Sequence, residues 1–201
     1  MIAALVLAAG ASTRMGRTKA LLPDCAGDPF VTHLARVLIS AGVPEIVIVT
    51  GADHDAIADA ARAAHPPVAV RLVRNPEPSR GQLSSLWVGL EALERPGLEG
   101  LLVAPVDVPL VNVSTVITIV EAWRRTRAPV VRPAKGARHG HPVLFDRCVF
   151  EDLRRAPLEA GAKAVVRACG SSVVDVPVED EGCLRDMDTP EDYERYLIGS
   201  G

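Results

Sequence analysis

Short apolar runs rich in β-branched residues alternate with helix-periodic stretches along the first half of this chain. Ile2–Leu7 is continuously apolar and reads as a strand buried on both faces. Phe30, Leu34, Val37 and Leu38 recur at helical spacing, and Gly42 closes that helix. Glu45–Thr50 predicts a second strand, and Asp53–Ala64 an Ala-rich helix that stops before Pro66-Pro67. Val68–Val73 reads as a third strand. Gly81–Arg95 reads as a helix with Leu83, Leu86, Leu90 and Leu93 along one side, and Gly100–Val106 as a fourth strand ending at Asp107. This rhythm predicts an α/β fold: a Rossmann-like three-layer α/β/α sandwich around a mostly parallel sheet. Right-handed crossovers put the C-terminal ends of the strands on one edge, where open α/β sheets bind ligands. The loop after the first strand and Asp107 both fall at such ends, so chain order alone lets them converge.

The second half is less regular. Val113–Arg127 predicts a helix with Val116, Ile117, Val120 and Trp123 inward. Pro129–Arg132 and Val143–Phe145 read as strands flanking a polar loop, Pro133–Pro142. Asp146–Arg155 and Glu159–Ala168 are helix candidates, and Val173–Val176 is a strand. A last helix starts at Thr189-Pro190-Glu191-Asp192, with Thr189 as N-cap, Pro190 at the first helical position and Asp192 at capping-box spacing. No linker, repeat or low-complexity tract divides the chain.

Composition narrows the classes. The 201 residues suffice for one domain with a substantial core. A formal net charge of −3 lacks the basic field that nucleic-acid binding needs, and 3% aromatic content offers few stacking platforms for single strands. Cys25, Cys148, Cys169 and Cys183 form no C-x-x-C pair and fit buried or exposed thiols in a reduced cytoplasm. The apolar N-terminus lacks a basic flank and ends too early for a membrane span, so a cytoplasmic enzyme with small-molecule substrates is expected, without nucleic-acid or membrane partners.

The chemistry concentrates after the first strand. In Leu7-Ala8-Ala9-Gly10-Ala11-Ser12-Thr13-Arg14-Met15-Gly16-Arg17-Thr18-Lys19, an apolar run breaks into small residues followed by fixed cations. Small residues let backbone approach a ligand, and consecutive N–H groups can form an anion-binding concavity. The spacing is neither a Walker A loop nor a dinucleotide fingerprint. A plain strand–helix turn with solvated cations is the bland alternative; a nucleoside triphosphate loop is the functional one.

The run from Leu7 through Arg14-Met15-Gly16 and Lys19 to Leu21-Leu22-Pro23 resembles the signature of nucleotidyltransferases that activate sugars, alditols and cofactors. Within them the chain is similar to the MobA-like NTP transferases, especially the cytidylyltransferases of the molybdenum cofactor. Four further segments extend the resemblance over essentially the whole chain: Asn75-Pro76 with Gly81–Leu86, Pro105–Leu110, Gly136–Phe145 and Arg185–Tyr193. A weaker match at Glu159–Lys163 departs from the family pattern, which has Gly-Asp at 158–159 and Arg at 163.

The resemblance implies the fold of nucleotide-diphospho-sugar transferases. It implies one domain over residues 1–201, with an NTP-binding half to about residue 110 and an acceptor half beyond. The nucleotide would be held by Leu7, Ala8, Ala9, Gly10, Ser12, Arg14, Gly16, Lys19, Asn75, Gly81, Ser84 and Ser85. Arg14, Lys19 and Asp107 are the implied catalytic residues, and Asp107 with Asp186 or Asp188 would hold Mg²⁺. Arg138, His139, Gly140 and His141 would meet the acceptor, although a His-x-His metal site or simple solvation are alternatives. The implied reaction moves CMP from CTP to the phosphate of the molybdenum cofactor and releases pyrophosphate, with a molybdoenzyme receiving the product. Ala9 leans toward CTP, because the GTP-using branch has Gly there. Transfer from GTP, a sugar- or alditol-phosphate acceptor, a non-catalytic carrier and a small-molecule kinase are the competing readings.

Overall fold

The computed structural model describes residues 1–62 and 69–199. The first half runs β1 (Ile2–Ala8), α1 (Phe30–Ser40), β2 (Glu45–Thr50), α2 (His54–Arg62), β3 (Ala69–Arg74), α3 (Gln82–Leu93) and β4 (Gly100–Pro105). The second half runs α4 (Val113–Thr126), β5 (Val130–Lys135), β6 (Arg138–His139), β7 (Val143–Asp146), α5 (Phe150–Arg155), α6 (Lys163–Cys169), β8 (Val173–Pro177) and α7 (Pro190–Gly199). The expected helix end before Pro66-Pro67 and strand start at Val68 lie outside the described residues. Among the described residues no helix is long and apolar enough to cross a membrane.

β1 is the hub of the eight-stranded sheet, with β2 and then β3 parallel on one side and β4 parallel on the other. Its side chains split two cores by their alternation. Ile2, Ala4, Val6 and Ala8 pack with apolar residues of α1, α2 and α4, whereas Ala3, Leu5 and Leu7 pack with α3, α5 and α6. This is the expected three-layer sandwich. Each fully buried Leu or Phe contributes about 1.5–3 kcal/mol over exposure, against ~0–1 kcal/mol for a surface ion pair, so these two faces hold the sheet. Helix α3 lies close over β1 because Gly89 has no side chain: a Cβ there would sit 2.1 Å from Leu5 Cδ1.

Beyond β4 the sheet departs from the simple alternating plan. β7 is antiparallel to both β4 and β5, while β8 joins β5 in parallel. The predicted polar loop at Pro133–Pro142 carries regular structure instead, since β5 continues to Lys135 and turns back as β6. β6 and β7 are two parts of one partner strand of β5. The register slips between the pairs Val131–Leu144 and Ala134–His139, leaving Gly140-His141-Pro142 as a bulge. The predicted helix at Glu159–Ala168 begins only at Lys163, because Gly161 takes φ +62° and turns the chain first. At the C-terminus the capping box forms as expected. Thr189 N–H donates to Asp192 Oδ2 at 3.0 Å, and Asp192 N–H donates to Thr189 Oγ1 at 3.2 Å.

Candidate active site

The loop after β1 is organised by Ser12. Its backbone is left-handed at φ 48°, a conformation that costs a non-glycine residue on the order of 1 kcal/mol or more. Local hydrogen bonds offset that cost. The Ser12 carbonyl accepts from the N–H groups of Met15 at 3.0 Å and Gly16 at 3.1 Å, and its hydroxyl accepts from Lys19 N–H at 3.1 Å. Met15 is buried and ties the loop to the core. Arg14 therefore stands outward while Lys19, only 13% exposed, turns inward.

The C-terminal segment meets this loop. Val106 N–H donates to the Leu7 carbonyl at 3.1 Å, and Met187 N–H donates to the Asp107 carbonyl at 2.7 Å. These bonds bring three aspartates beside the loop cations. Lys19 Nζ lies 2.5 Å from Asp188 Oδ1 and 3.6 Å from Asp107 Oδ2, and Arg14 Nη2 lies 3.0 Å from Asp188 Oδ2. The hydrogen bond from Lys19 is the main cause that holds the Asp188 carboxyl below the usual range. Asp186 shifts upward, chiefly by desolvation and then by the Asp107 and Asp188 carboxylates.

A cavity of about 250 Å³ opens here. Of the sequence-predicted nucleotide residues, Leu7, Ala8, Ala9, Gly10, Ser12, Arg14, Lys19, Gly81 and Ser85 form its wall, joined by Asp107 and Asp188. Gly16, Asn75, Ser84 and Asp186 lie outside that wall. Asn75 is buried with its amide committed: Nδ2 donates to Ser84 Oγ and Ser85 Oγ, each at 2.9 Å, and Oδ1 accepts from Glu77 N–H at 2.9 Å. Asn75 and Ser84 thus shape the turn that presents Gly81 and Ser85, and leave no free polar edge for a base. Thr18, Pro78, Gln82 and Val106 also reach the wall and were not singled out by the sequence. Gln82 had a signal, its place right after Gly81 at a helix start.

Among the described residues no three His, Cys, Asp or Glu side chains are arranged to hold a metal ion. Of the two partners expected for Asp107, Asp188 reaches the cavity wall with it and Asp186 does not, and Lys19 stands between Asp107 and Asp188. Two carboxylates on the wall of this cavity suit Mg²⁺, which takes one or two carboxylates and fills its shell with water and substrate phosphates.

A second cavity, about 490 Å³, abuts the first and shares Leu7 and Gln82 with it. Leu83, Leu86, Val103, Val143 and Phe145 give it apolar surface. Of the residues expected to meet the acceptor, His139, Gly140 and His141 line this cavity; Arg138, on the opposite side of β6, pairs outward with Glu181 at 3.3 Å. The bulge is pinned to the C-terminal segment. His141 N–H donates to the Cys183 carbonyl at 2.8 Å, and a Cβ on Gly140 would lie 2.2 Å from that oxygen. Burial holds the His141 imidazole well toward its neutral form, and its buried Nδ1 has no hydrogen-bond partner among the described residues.

The chain is similar to known proteins. Residues 4–174 match the family model of the MobA-like NTP transferase domain. A Rhodopirellula baltica protein named "Probable molybdenum cofactor guanylyltransferase" is 27% identical over 191 residues, covering 94% of this chain and 88% of its own. Nicotine blue oxidoreductase of Paenarthrobacter nicotinovorans is 33% identical over 203 residues, covering 98% of this chain and 96% of its own. The crystal structure of Rv0371c from Mycobacterium tuberculosis H37Rv has TM-score 0.80 and 29% identity, covering 98% of both chains. A manganese complex of Rv0371c has TM-score 0.70 at 28% identity, with the same coverage.

Proposed function

This chain belongs to the MobA-like NTP transferase family, a family of nucleotidyltransferases, and we propose that it transfers a nucleoside monophosphate from GTP to the phosphate of the molybdenum cofactor. The observation that carries this reading is Lys19, held between Asp107 and Asp188 on the wall of the first cavity, which shares Leu7 and Gln82 with a larger second one. In the proposed step an oxygen of the acceptor phosphate bonds to the α-phosphorus. The bond from that phosphorus to the bridging oxygen breaks, and pyrophosphate leaves with the electron pair. No proton has to move, which agrees with a site built of fixed charges.

The roles follow from placement. Backbone N–H groups along the loop Ala9–Arg14 receive the triphosphate, and Arg14 and Lys19 stabilise charge on the departing pyrophosphate. Asp107 and Asp188 are the residues that would hold Mg²⁺, which when bound neutralises charge on the phosphates. His139, Gly140 and His141 face the acceptor. We read the chain as one domain, its first 110 or so residues chiefly serving the nucleotide and the remainder the acceptor, with a molybdoenzyme taking the product.

GTP is supported by the Rhodopirellula relative, which is named a probable molybdenum cofactor guanylyltransferase. CTP is the second reading, favoured by the Ala9 side chain in the wall of the nucleotide cavity. The test is product analysis after incubation with Mg²⁺, molybdenum cofactor and each triphosphate. Pyrophosphate plus a guanine dinucleotide of the cofactor is expected. Faster turnover of CTP would transfer the reading to cytidylyl transfer, and release of a nucleoside diphosphate would overturn nucleotidyl transfer.

A further inference from the structure

The charges facing the second cavity are not equally available. Arg132 and His139 are both held by Asp175, with Arg132 Nε 2.6 Å and His139 Nε2 3.2 Å from its oxygens. Lys163 and Arg167, one turn apart on α6, also face the cavity. Among the described residues neither has a carboxylate oxygen within 4.0 Å. Glu159, the acid on the cavity wall, is likewise without an ion pair among those residues. Lys163 lines the second cavity and acts electrostatically on both His141 and Asp186. His141 lines the same cavity, with its Nδ1 buried and without a hydrogen-bond partner among the described residues.

We propose that Lys163 is a substrate-contacting residue that holds the acceptor's phosphoryl group on the wall of the second cavity, beside His141. The proposal rests on the nucleotidyl-transfer reading and adds the residue that admits the attacking group. An acceptor phosphate dianion must approach a triphosphate against repulsion, and a fixed cation beside the acceptor lowers that cost. The cation is a compact ammonium at the first turn of a short helix, where the family pattern has a guanidinium.

The test compares wild type, Lys163→Met and Lys163→Arg with molybdenum cofactor as acceptor. Lys163→Met is expected to raise the acceptor KM at least tenfold and to lower kcat, while the nucleotide Kd stays within twofold. Lys163→Arg is expected to recover most of the loss. An unchanged acceptor KM, or a nucleotide Kd that weakens in step, overturns the proposal. A second measurement separates this outcome from failure of the transferase reading. Inorganic phosphate is titrated by ³¹P NMR into each protein saturated with a non-hydrolysable GTP analogue. Phosphate binding by wild type that Lys163→Met abolishes upholds the site even if no dinucleotide is made; equal binding, or none to wild type, overturns it.

Discussion

At the scale of single residues the site is a balance of acids around one ammonium. Lys19 touches Asp188 and approaches Asp107, so it neutralises carboxylates that would otherwise repel each other. Asp188 and Asp186 respond in opposite directions, and so should stability. Asp188 is held below the usual carboxylate range by its hydrogen bond from Lys19. It therefore adds stability that is fully present above its unfolded value of about 3.9 and lost as pH falls through the folded value. Asp186 is raised, by desolvation first and then by its two neighbouring carboxylates. Its contribution is most favourable below about pH 3.9 and declines as pH rises through the folded value. At pH 7 in metal-free buffer, Asp188→Asn should lower the thermal midpoint and Asp186→Asn should raise it. A fall in both variants would mean that Asp186 has a stabilising partner the electrostatic picture omits.

At the scale of elements, the bulge between β6 and β7 does the positioning in the acceptor half. Gly140 lets it press against the Cys183 carbonyl, and the added Cβ of Gly140→Ala would meet backbone rather than a yielding side chain. We expect a loss of about 1–3 kcal/mol from overpacking, with a raised acceptor KM because His141 moves with the bulge. Denaturant melts and steady-state kinetics check both; a stable variant with unaltered acceptor KM would show the close approach to be incidental. None of this bulge was legible in the sequence, which gave only a polar stretch between two apolar runs. Its register depends on pairing with residues far along the chain. The strands Ile2–Leu7 and Glu45–Thr50 were legible because continuous apolar, β-branched composition suffices for a strand buried on both faces. The same contrast holds within the site. Asp107 and Asp188 could be placed because strand ends and a helix entry fix them, and both reach the cavity. Asn75 and Ser84 come to the nucleotide from the resemblance alone, and the sequence did not show that they bond each other and that Ser84 bonds the Gly81 carbonyl. Lys163 stood out in the sequence only as a departure from the family's Arg, because which of its neighbours lack partners is visible only in the fold.

At the scale of the whole molecule, the two cavities lie along the strand-end edge of one sheet, and each draws on both halves of the chain. Asp188 comes to the first cavity from the C-terminal segment, while Leu83, Leu86 and Val103 form part of the second. Ligand binding at this seam therefore ties together segments distant in sequence, and it should register as global stability. A ligand at a hundredfold its Kd that binds only the folded state adds about 2.7 kcal/mol. For a domain of this size each kcal/mol raises the midpoint by about 2–4 °C, so GTP with Mg²⁺ should raise it by roughly 5–10 °C. The shift should shrink when Mg²⁺ is chelated, because the Asp107 and Asp188 carboxylates then face the phosphates with only Lys19 and Arg14 to compensate. In Asp188→Asn, chelation should matter less, since one of those carboxylates is gone. Thermal melts of wild type and Asp188→Asn, with and without chelator, decide the point. An equal nucleotide shift in wild type with and without Mg²⁺ would remove the metal from the binding step. It would leave the cations of the opening loop as the whole of the phosphate site.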